Sequence, residues 1–187
     1  MPSKPEAGVT ESKQSLRARM KALRQTLDPT LGHALATHLL AANILPERAI
    51  IAGYIPLPGE IDILPLLHAL HGRGHQLCLP ETPPKGHPLI FRAWAPHVPL
   101  TTGRFGTQHP LTAPLTPTII LTPLVAFDDQ GNRLGFGAGY YDRTFAQHPH
   151  ALRIGIAYAA QQVPHIPPDE HDLPLHVIAT EQKTRSF

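Results

Sequence analysis

Three glycines stand at alternate positions of the sequence, directly before a group of aromatic and charged residues. The stretch reads GNRLGFGAGYYDR, residues 131–143, and the alternating glycines are Gly135, Gly137 and Gly139. Glycine adopts backbone conformations that are closed to other residues, and it lets the chain approach a ligand closely. A helix predicted to begin near Gly139 would direct free N–H groups at the same place, where an anion is stabilised. The spacing therefore predicts an anion-binding loop that suits a phosphate group.

Two charged residues flank this loop and fit the same chemistry. Arg133 lies at its entrance, and Asp142 lies one short turn inside the predicted helix. A cation could bridge Asp142 to phosphate oxygens. Magnesium is favoured for this role because it keeps several waters and uses few protein carboxylates.

A purely structural explanation of the same residues stays open at this point. Glycines after a strand can simply make a tight connection, and Tyr141 and Phe145 have the spacing of core neighbours on a helix. Asp142 can act by stabilising the helix N-terminal dipole. The spacing also lacks the final two-residue gap of the dinucleotide fingerprint and the lysine followed by serine or threonine of a P-loop.

The elements that must position these residues follow from the hydrophobic pattern. Helices are predicted over residues 11–28, 30–43 and 61–74, and a short one in YYDRTFAQH. Apolar runs typical of buried strands are AIIAGYI (49–55), QLCLP (76–80), LIFRAW (89–94), TIILTPLVAF (118–127), LRIGIAYA (152–159) and LHVIAT (175–180). Pro123 inside the most apolar run predicts a bulge or a strand end.

This alternation of helices and strands predicts an α/β protein. We expect a single three-layer α/β/α domain over residues 11–187 with a mostly parallel, Rossmann-like sheet, preceded by a disordered leader over residues 1–10. Ligands of such sheets bind beyond the carboxyl ends of the strands. Three loops are therefore expected to share one cleft, namely residues 57–60, 128–139 and 161–172.

Other charged residues have two possible interpretations. Lys13, Arg17 and Arg24 lie on one face of the first predicted helix, and such a run of charge usually forms a solvated face. Glu60 could be a turn residue before the next helix. The thirteen histidines show no recognisable zinc-ligand spacing, so no zinc site is assigned.

The composition excludes several classes of protein. The net charge of +2 is too small to indicate a nucleic-acid-binding surface, and no apolar stretch approaches the length of a membrane span. The single cysteine, Cys78, lies in an apolar run and is expected to be a buried thiol in a reducing compartment. The N-terminus lacks the apolar core of a signal peptide. We expect a cytoplasmic protein that acts as a monomer.

The glycine loop, with the apolar run ending LVAFD before it, closely resembles the signature of the 5-formyltetrahydrofolate cyclo-ligase family, also called methenyltetrahydrofolate synthetases. Further stretches occur in the family's order: KQSLR (13–17), GEID (59–62), LIFRAW and EHDLPLHVIATE (170–181). The resemblance covers almost the whole chain from about Lys13. It implies an enzyme that uses ATP and Mg²⁺ to convert 5-formyltetrahydrofolate to 5,10-methenyltetrahydrofolate, with release of ADP and phosphate. It also implies phosphorylation of the formyl oxygen before ring closure by N10.

The resemblance also implies roles for individual residues. It gives Arg133 and Tyr140 as catalytic residues, Ile55 and Glu60 as folate contacts, and Asp142 and Asp172 as magnesium carboxylates. The implied ATP contacts are Lys13, Gln14, Ser15, Leu16, Arg17, Arg133, Leu134, Gly135, Phe136, Gly137, Ala138, Gly139, Tyr140 and Tyr141.

Four residues depart from the family's usual pattern, and they affect the substrate prediction more than the nucleotide prediction. Ala138 stands where glycine or lysine is usual, Phe136 where tyrosine, methionine or arginine is common, and His109 and His176 where acidic residues are frequent. Two other functions therefore stay open. One is an ATP-dependent enzyme of the same scaffold that acts on another small molecule, and the other is a non-catalytic folate or nucleotide sensor or RNA-associated module.

Overall fold

The structure, a computed structural model, describes residues 11–187. The leader predicted over residues 1–10 lies outside these residues. The α-helices are α1 (Lys13–Arg24), α2 (Gly32–Ala41), α3 (Leu64–Gly72) and α4 (Tyr140–Gln147). The strands are β1 (Ile50–Ala52), β2 (Gln76–Glu81), β3 (Ile90–Trp94), β4 (Thr101–Thr102), β5 (Gln108–His109), β6 (Ile119–Pro123), β7 (Ala126–Phe127), β8 (Arg133–Leu134), β9 (Leu152–Ile156), β10 (Val177–Ala179) and β11 (Thr184–Ser186).

Seven strands form one sheet in the order β11-β10-β9-β6-β1-β2-β3. The five inner strands run parallel, and β3 and β11 pair antiparallel at the two edges. Two short hairpins, β4–β5 and β7–β8, stand outside this sheet. The predicted α/β class with a mostly parallel sheet is confirmed.

Helices cover both faces of the sheet because successive strand residues point to opposite sides. Leu39 of α2 and Leu67 of α3 pack in the same cluster as Ile51 of β1. The next residue, Ala52, packs in the cluster of the opposite face, with Phe145 of α4 and Cys78. Burial raises the pKa of the Cys78 thiol to about 12, which leaves it protonated and unreactive.

The boundaries of several elements differ from those predicted. Helix α1 ends at Arg24 and not at residue 28, since the Asp28 side chain accepts a hydrogen bond from the N–H of Thr30 and begins a 3₁₀ turn there. Strand β1 spans three residues, because the chain turns away from the sheet after Gly53. The predicted strand end at Pro123 is confirmed, and the β4–β5 hairpin and β11 were not predicted.

The strand order places a switch point between β1 and β6. From β1 the chain crosses to β2 on one side, and it later returns to β6 on the other side. The loops that follow β1 and β6 therefore diverge and leave a crevice at the carboxyl ends of these strands. Helix α1 lies beside this crevice, where Leu16 and Met20 pack against Val125 and Leu134.

Within residues 11–187, the helices are too short or too polar to cross a lipid bilayer.

Candidate active site

A cavity of about 560 Å³ occupies the crevice beyond β1 and β6. Its walls come from α1, from the loops after β1 and β6, from the β4–β5 hairpin, from the start of α4 and from the loop before β10. The residues that line the cavity include Lys13, Arg17, Tyr54, Ile55, Leu57, Glu60, Phe105, Arg133, residues 134–141, Asp142, Asp169 and Asp172. The three loops predicted to share a cleft thus all contribute to one cavity.

The glycine loop connects the β7–β8 hairpin to α4. Gly137 and Gly139 have φ angles of +101° and +68°, in the left-handed region that favours glycine. Gly139 is the N-terminal cap of α4, so the predicted helix start is confirmed and the first N–H groups of the helix lie at the cavity wall. These φ angles and the helix start are the backbone features on which the sequence prediction of an anion-binding loop depends.

Arg133 is the buried cation of this loop. Its Nη2 donates a hydrogen bond of 2.5 Å to Oδ1 of Asp142, and its guanidinium lies 5.0 Å from the ring centroid of Phe145. Burial lowers the pKa of Arg133, and the charge of Asp142 opposes that shift. Its Nε has no hydrogen-bond partner among residues 11–187. A second anion at the cavity would give this buried charge an additional partner.

Two more cations reach the cavity from α1. Lys13 Nζ lies 2.6 Å from Oδ2 of Asp169 and 2.9 Å from Oδ2 of Asp172, and Arg17 Nε donates to the carbonyl of Gly135 at 2.8 Å. Burial acts to raise the pKa of Asp172, but the hydrogen bonds from Lys13 and from the N–H of Asp169, together with the charges of Lys13 and Arg133, hold that pKa below its ordinary value. Asp172 is therefore ionised at neutral pH.

Glu60 is a nearly buried carboxylate in the cavity wall, with 7% of its surface exposed. Oε2 accepts a hydrogen bond from the N–H of Leu57 at 2.9 Å, whereas Oε1 has no hydrogen-bond partner among the described residues. Burial raises the pKa of Glu60, and the Leu57 N–H and the charge of Arg24 oppose that shift. A buried acceptor without a donor is costly, so a ligand N–H group would stabilise this site.

The structure brings most of the predicted site residues together and leaves three aside. The cavity is lined by Lys13, Arg17, Ile55, Glu60, residues 133–142 and Asp172. Gln14, Ser15 and Leu16 do not line it. Leu16 is buried in the cluster behind α1, and the N–H of Ser15 bonds to the N-cap side chain of Ser12.

Several residues at the site were missed by sequence reasoning. Asp169 and Asp172 both form an ion pair with Lys13. The position of Asp169 three residues before Asp172 was the sequence signal that could have identified it. Phe105 lines the cavity mouth on the unpredicted β4–β5 hairpin, with its ring centroid 6.4 Å from that of Tyr140. Arg24, for which a solvated face was the default interpretation, is instead 4% exposed.

The residues that depart from the family pattern lie in different environments. Phe136 is 42% exposed at the cavity, with Lys21 and Arg24 over its ring at 5.3 and 5.2 Å from the centroid. Ala138 lines the same wall. His109 and His176 lie outside the cavity lining, and His176 accepts a hydrogen bond from the N–H of Arg153. Only the first two can contact a ligand there directly.

Comparisons with known proteins agree in one description. The model of the 5-formyltetrahydrofolate cyclo-ligase family matches residues 9–181. The chain is 34% identical over 179 residues to the 5-formyltetrahydrofolate cyclo-ligase of Haemophilus influenzae, an alignment that covers 89% of this chain and 96% of that one. The corresponding Escherichia coli K12 protein is 32% identical over 177 residues, covering 90% and 97%.

A solved structure extends this similarity to the fold. The NMR structure of 5,10-methenyltetrahydrofolate synthetase from Aquifex aeolicus superimposes with a TM-score of 0.74 at 30% identity, covering 93% of this chain and 92% of that one. The similarity therefore spans the sheet, the helices and the loops that form the cavity.

Proposed function

The chain belongs to the 5-formyltetrahydrofolate cyclo-ligase family, and from this premise we propose that it converts 5-formyltetrahydrofolate to 5,10-methenyltetrahydrofolate with consumption of ATP. One observation carries the proposal. Glu60, whose Oε1 has no hydrogen-bond partner among residues 11–187, and the glycine loop with its buried Arg133 line the same 560 Å³ cavity. A ligand with N–H donors and a ligand with phosphates can therefore lie side by side in it.

The two walls suit the two parts of the reaction. Glu60 accepts hydrogen bonds from the N–H donors of the pterin, beside the apolar side chain of Ile55. The glycine loop, Lys13 and Arg17 contact the ATP phosphates through N–H groups and cations, and Arg133 stabilises the charge on the transferring phosphoryl group. Positioning by these residues brings the γ-phosphate close to the formyl oxygen.

The chemical step needs activation of a poor leaving group. The formyl oxygen attacks the γ-phosphorus and releases ADP, so that this oxygen becomes part of a phosphate ester. N10 of the folate then attacks the activated carbon, loses its proton and closes the ring, and inorganic phosphate leaves with the former formyl oxygen. The protein supplies positioning and charge stabilisation and needs no covalent nucleophile. Tyr140, whose hydroxyl donates to the carbonyl of Pro83, forms a wall beside the reacting groups.

Asp142 and Asp172 are the residues that would hold magnesium. Residues 11–187 contain no group of three histidine, cysteine or acidic side chains arranged for a metal, so a site made of protein ligands alone is absent from them. Two carboxylates on a phosphate-binding cavity fit magnesium, which is commonly held by one or two carboxylates together with substrate phosphates. The bound ion supplies charge neutralisation at the phosphates.

Five charged side chains of the cavity are paired with one another. Arg133 pairs with Asp142, and Lys13 pairs with Asp169 and Asp172. Phosphates compete for the cations, and the carboxylates released in this way are then free to bind the metal. We infer that nucleotide and magnesium favour each other's binding. Phosphates that pair with the cations free the carboxylates for the metal, and a metal that binds the carboxylates frees the cations for the phosphates.

The proposal is tested by the near-ultraviolet absorbance of methenyltetrahydrofolate. Purified protein is mixed with 5-formyltetrahydrofolate and Mg²⁺, with and without ATP. We expect an absorbance rise that requires ATP and is lost in Asp142→Asn. Asp129→Asn is the matched control, because Asp129 bonds to Gln162 and Arg185 away from the cavity.

An ATP-independent rise would contradict the proposed reaction. The absence of any rise in a protein that binds both ligands would favour the non-catalytic sensor. Binding of ATP without binding of the folate would point to another acceptor on the same scaffold.

A further inference from the structure

Arg24 joins the four parts of the chain that meet behind the cavity. It lies in the last turn of α1 and is 4% exposed. Its Nε donates to the carbonyl of Gly59 at 3.2 Å, in the loop after β1, and its Nη1 donates to the carbonyl of Leu124 at 3.2 Å, directly after β6. Its guanidinium also lies 5.2 Å from the ring centroid of Phe136 in the glycine loop.

The third nitrogen of this guanidinium faces Glu60. Arg24 Nη2 lies 3.9 Å from Glu60 Oε1, which is close enough for charge attraction but too far for a hydrogen bond. Oε1 therefore keeps its acceptor capacity for a ligand while a positive charge stands behind it. Arg24 itself does not line the cavity.

We propose that Arg24 is a positioning residue for Glu60. It keeps the carboxylate ionised and oriented toward the folate, and it connects this carboxylate to the glycine loop. This inference rests on the proposed function. A buried guanidinium is normally satisfied by several acceptors. Here the acceptors are the carbonyl of Gly59, in the loop after β1 that carries the folate site, and the carbonyl of Leu124, directly after β6. The ring of Phe136 adds the contact with the glycine loop. Arg24 therefore fixes the distance between these loops without touching either substrate.

The charges around Glu60 support this role. Arg24 faces it from α1, and three tyrosines interact with it electrostatically from the other packed elements: Tyr54, Tyr141 and Tyr158. Burial raises the pKa of each tyrosine, so all three are uncharged at neutral pH. Arg24 is then the cation that opposes the effect of burial on the Glu60 carboxyl.

The test compares Arg24→Met with Lys21→Met in steady-state kinetics. Lys21 is the matched control because its ammonium lies over the same Phe136 ring at 5.3 Å and on the same helix, but forms no hydrogen bond or ion pair with Glu60. We expect Arg24→Met to raise the KM for 5-formyltetrahydrofolate about tenfold and the KM for ATP much less. Lys21→Met should change the folate KM less than about twofold.

Two readouts separate positioning from a general structural role. The acid limb of kcat/KM for the folate should move to higher pH in Arg24→Met, because Glu60 protonates more readily without the cation. In a Glu60→Gln background, Arg24→Met should add little to the folate KM, since the group through which it acts is already neutral. KM does not depend on the fraction of folded enzyme, so partial unfolding does not imitate this result.

Arg24→Lys keeps the inference testable if Arg24→Met does not fold. Lysine retains the charge but cannot replace both hydrogen bonds of the guanidinium to the carbonyls of Gly59 and Leu124. We therefore expect the wild-type pH limb, with a smaller rise in the folate KM than in Arg24→Met. An unchanged pH limb in Arg24→Met, with equal effects of Arg24→Met on the folate KM in both backgrounds, would overturn the inference. An acid limb that moves as far in Arg24→Lys as in Arg24→Met would overturn it as well. An inactive wild-type enzyme would instead overturn the proposed function itself.

Discussion

At the scale of single residues, the site depends on charges that are buried and incompletely satisfied. Glu60 has one oxygen bonded to the backbone and one without a hydrogen-bond donor, and Arg133 has an unpaired Nε. Such groups are costly in a folded protein unless a ligand satisfies them. Under the proposed function, we expect part of the free energy of ligand binding to come from completing these bonds.

The first prediction concerns Glu60. Glu60→Gln should raise the KM for 5-formyltetrahydrofolate about tenfold or more, because a hydrogen bond to a charged acceptor is lost. Glu81→Gln is the matched control, since Glu81 pairs with Arg92 outside the cavity. A folate KM that changes equally in both variants would contradict the role of Glu60.

The raised pKa of Glu60 predicts how this affinity depends on pH. As the pH falls through the raised pKa, Glu60 becomes protonated and Oε1 is a weaker acceptor. The folate KM of the wild-type enzyme should therefore rise on the acid side, beginning above the ordinary range for glutamate. Glu60→Gln should lack this limb, and titration of the folate KM against pH checks both expectations.

A second residue-scale prediction separates the two aspartates that share Lys13. Asp172→Asn should raise the Mg²⁺ concentration needed for half-maximal activity about tenfold, because a proposed metal ligand is lost. Asp169→Asn removes the other partner of Lys13 at an exposed position and should change this concentration less than about twofold. Equal effects of the two substitutions would assign the metal to the pair rather than to Asp172.

At the scale of elements, the glycine loop and α1 each line part of the cavity and pack against each other. Arg17 of α1 donates to the carbonyl of Gly135, and Leu16 and Met20 hold the helix against Val125 and Leu134. The amphipathic pattern of α1 thus does two things. Its apolar side fixes the helix, and Lys13 and Arg17 on its basic side line the cavity.

Gly137→Ala is the element-scale prediction. At φ +101° a side chain strains the backbone, so the loop should rearrange and the KM for ATP should rise about tenfold. Gly72→Ala is the control, because a Cβ there meets nothing within 4 Å at the end of α3. Steady-state kinetics with varied ATP distinguish the two. A normal ATP KM in Gly137→Ala would show that the loop conformation does not matter for the nucleotide.

At the scale of the whole molecule, the cavity is closed by residues from the two ends of the described chain. Lys13 and Asp172 are 159 positions apart in sequence and 2.9 Å apart in space. Ligands that bind at this junction interact only with the folded chain. They should therefore stabilise the protein as a whole by mass action.

The whole-molecule prediction is a thermal shift. ATP with Mg²⁺ at about one hundred times its Kd should stabilise the fold by about 2.7 kcal/mol. For a chain of this size that corresponds to a rise in Tm of about 5–10 °C. Lys13→Met should reduce the shift, and ATP with a chelator should give a smaller one. A full shift without Mg²⁺ would contradict the coupled binding of nucleotide and metal.

The monomeric state and the cytoplasmic location stay predictions.

The sequence by itself determined the α/β class, the strand end at Pro123 and the loops that reach the cavity. These features follow from local patterns: apolar runs for buried strands, helical spacing, and glycines where positive φ is needed. The start of α4 at Gly139 belongs to the same group.

Only the tertiary structure decided which charges meet. The pairing of Lys13 with Asp169, the free oxygen of Glu60 and the burial of Arg24 join residues that are distant in sequence, and local patterns carry no information on such contacts. A basic residue on a helix face has the same local signal in solvent and in a cavity wall. Its environment is set by what the rest of the chain packs against it, and here that is the crevice between β1 and β6.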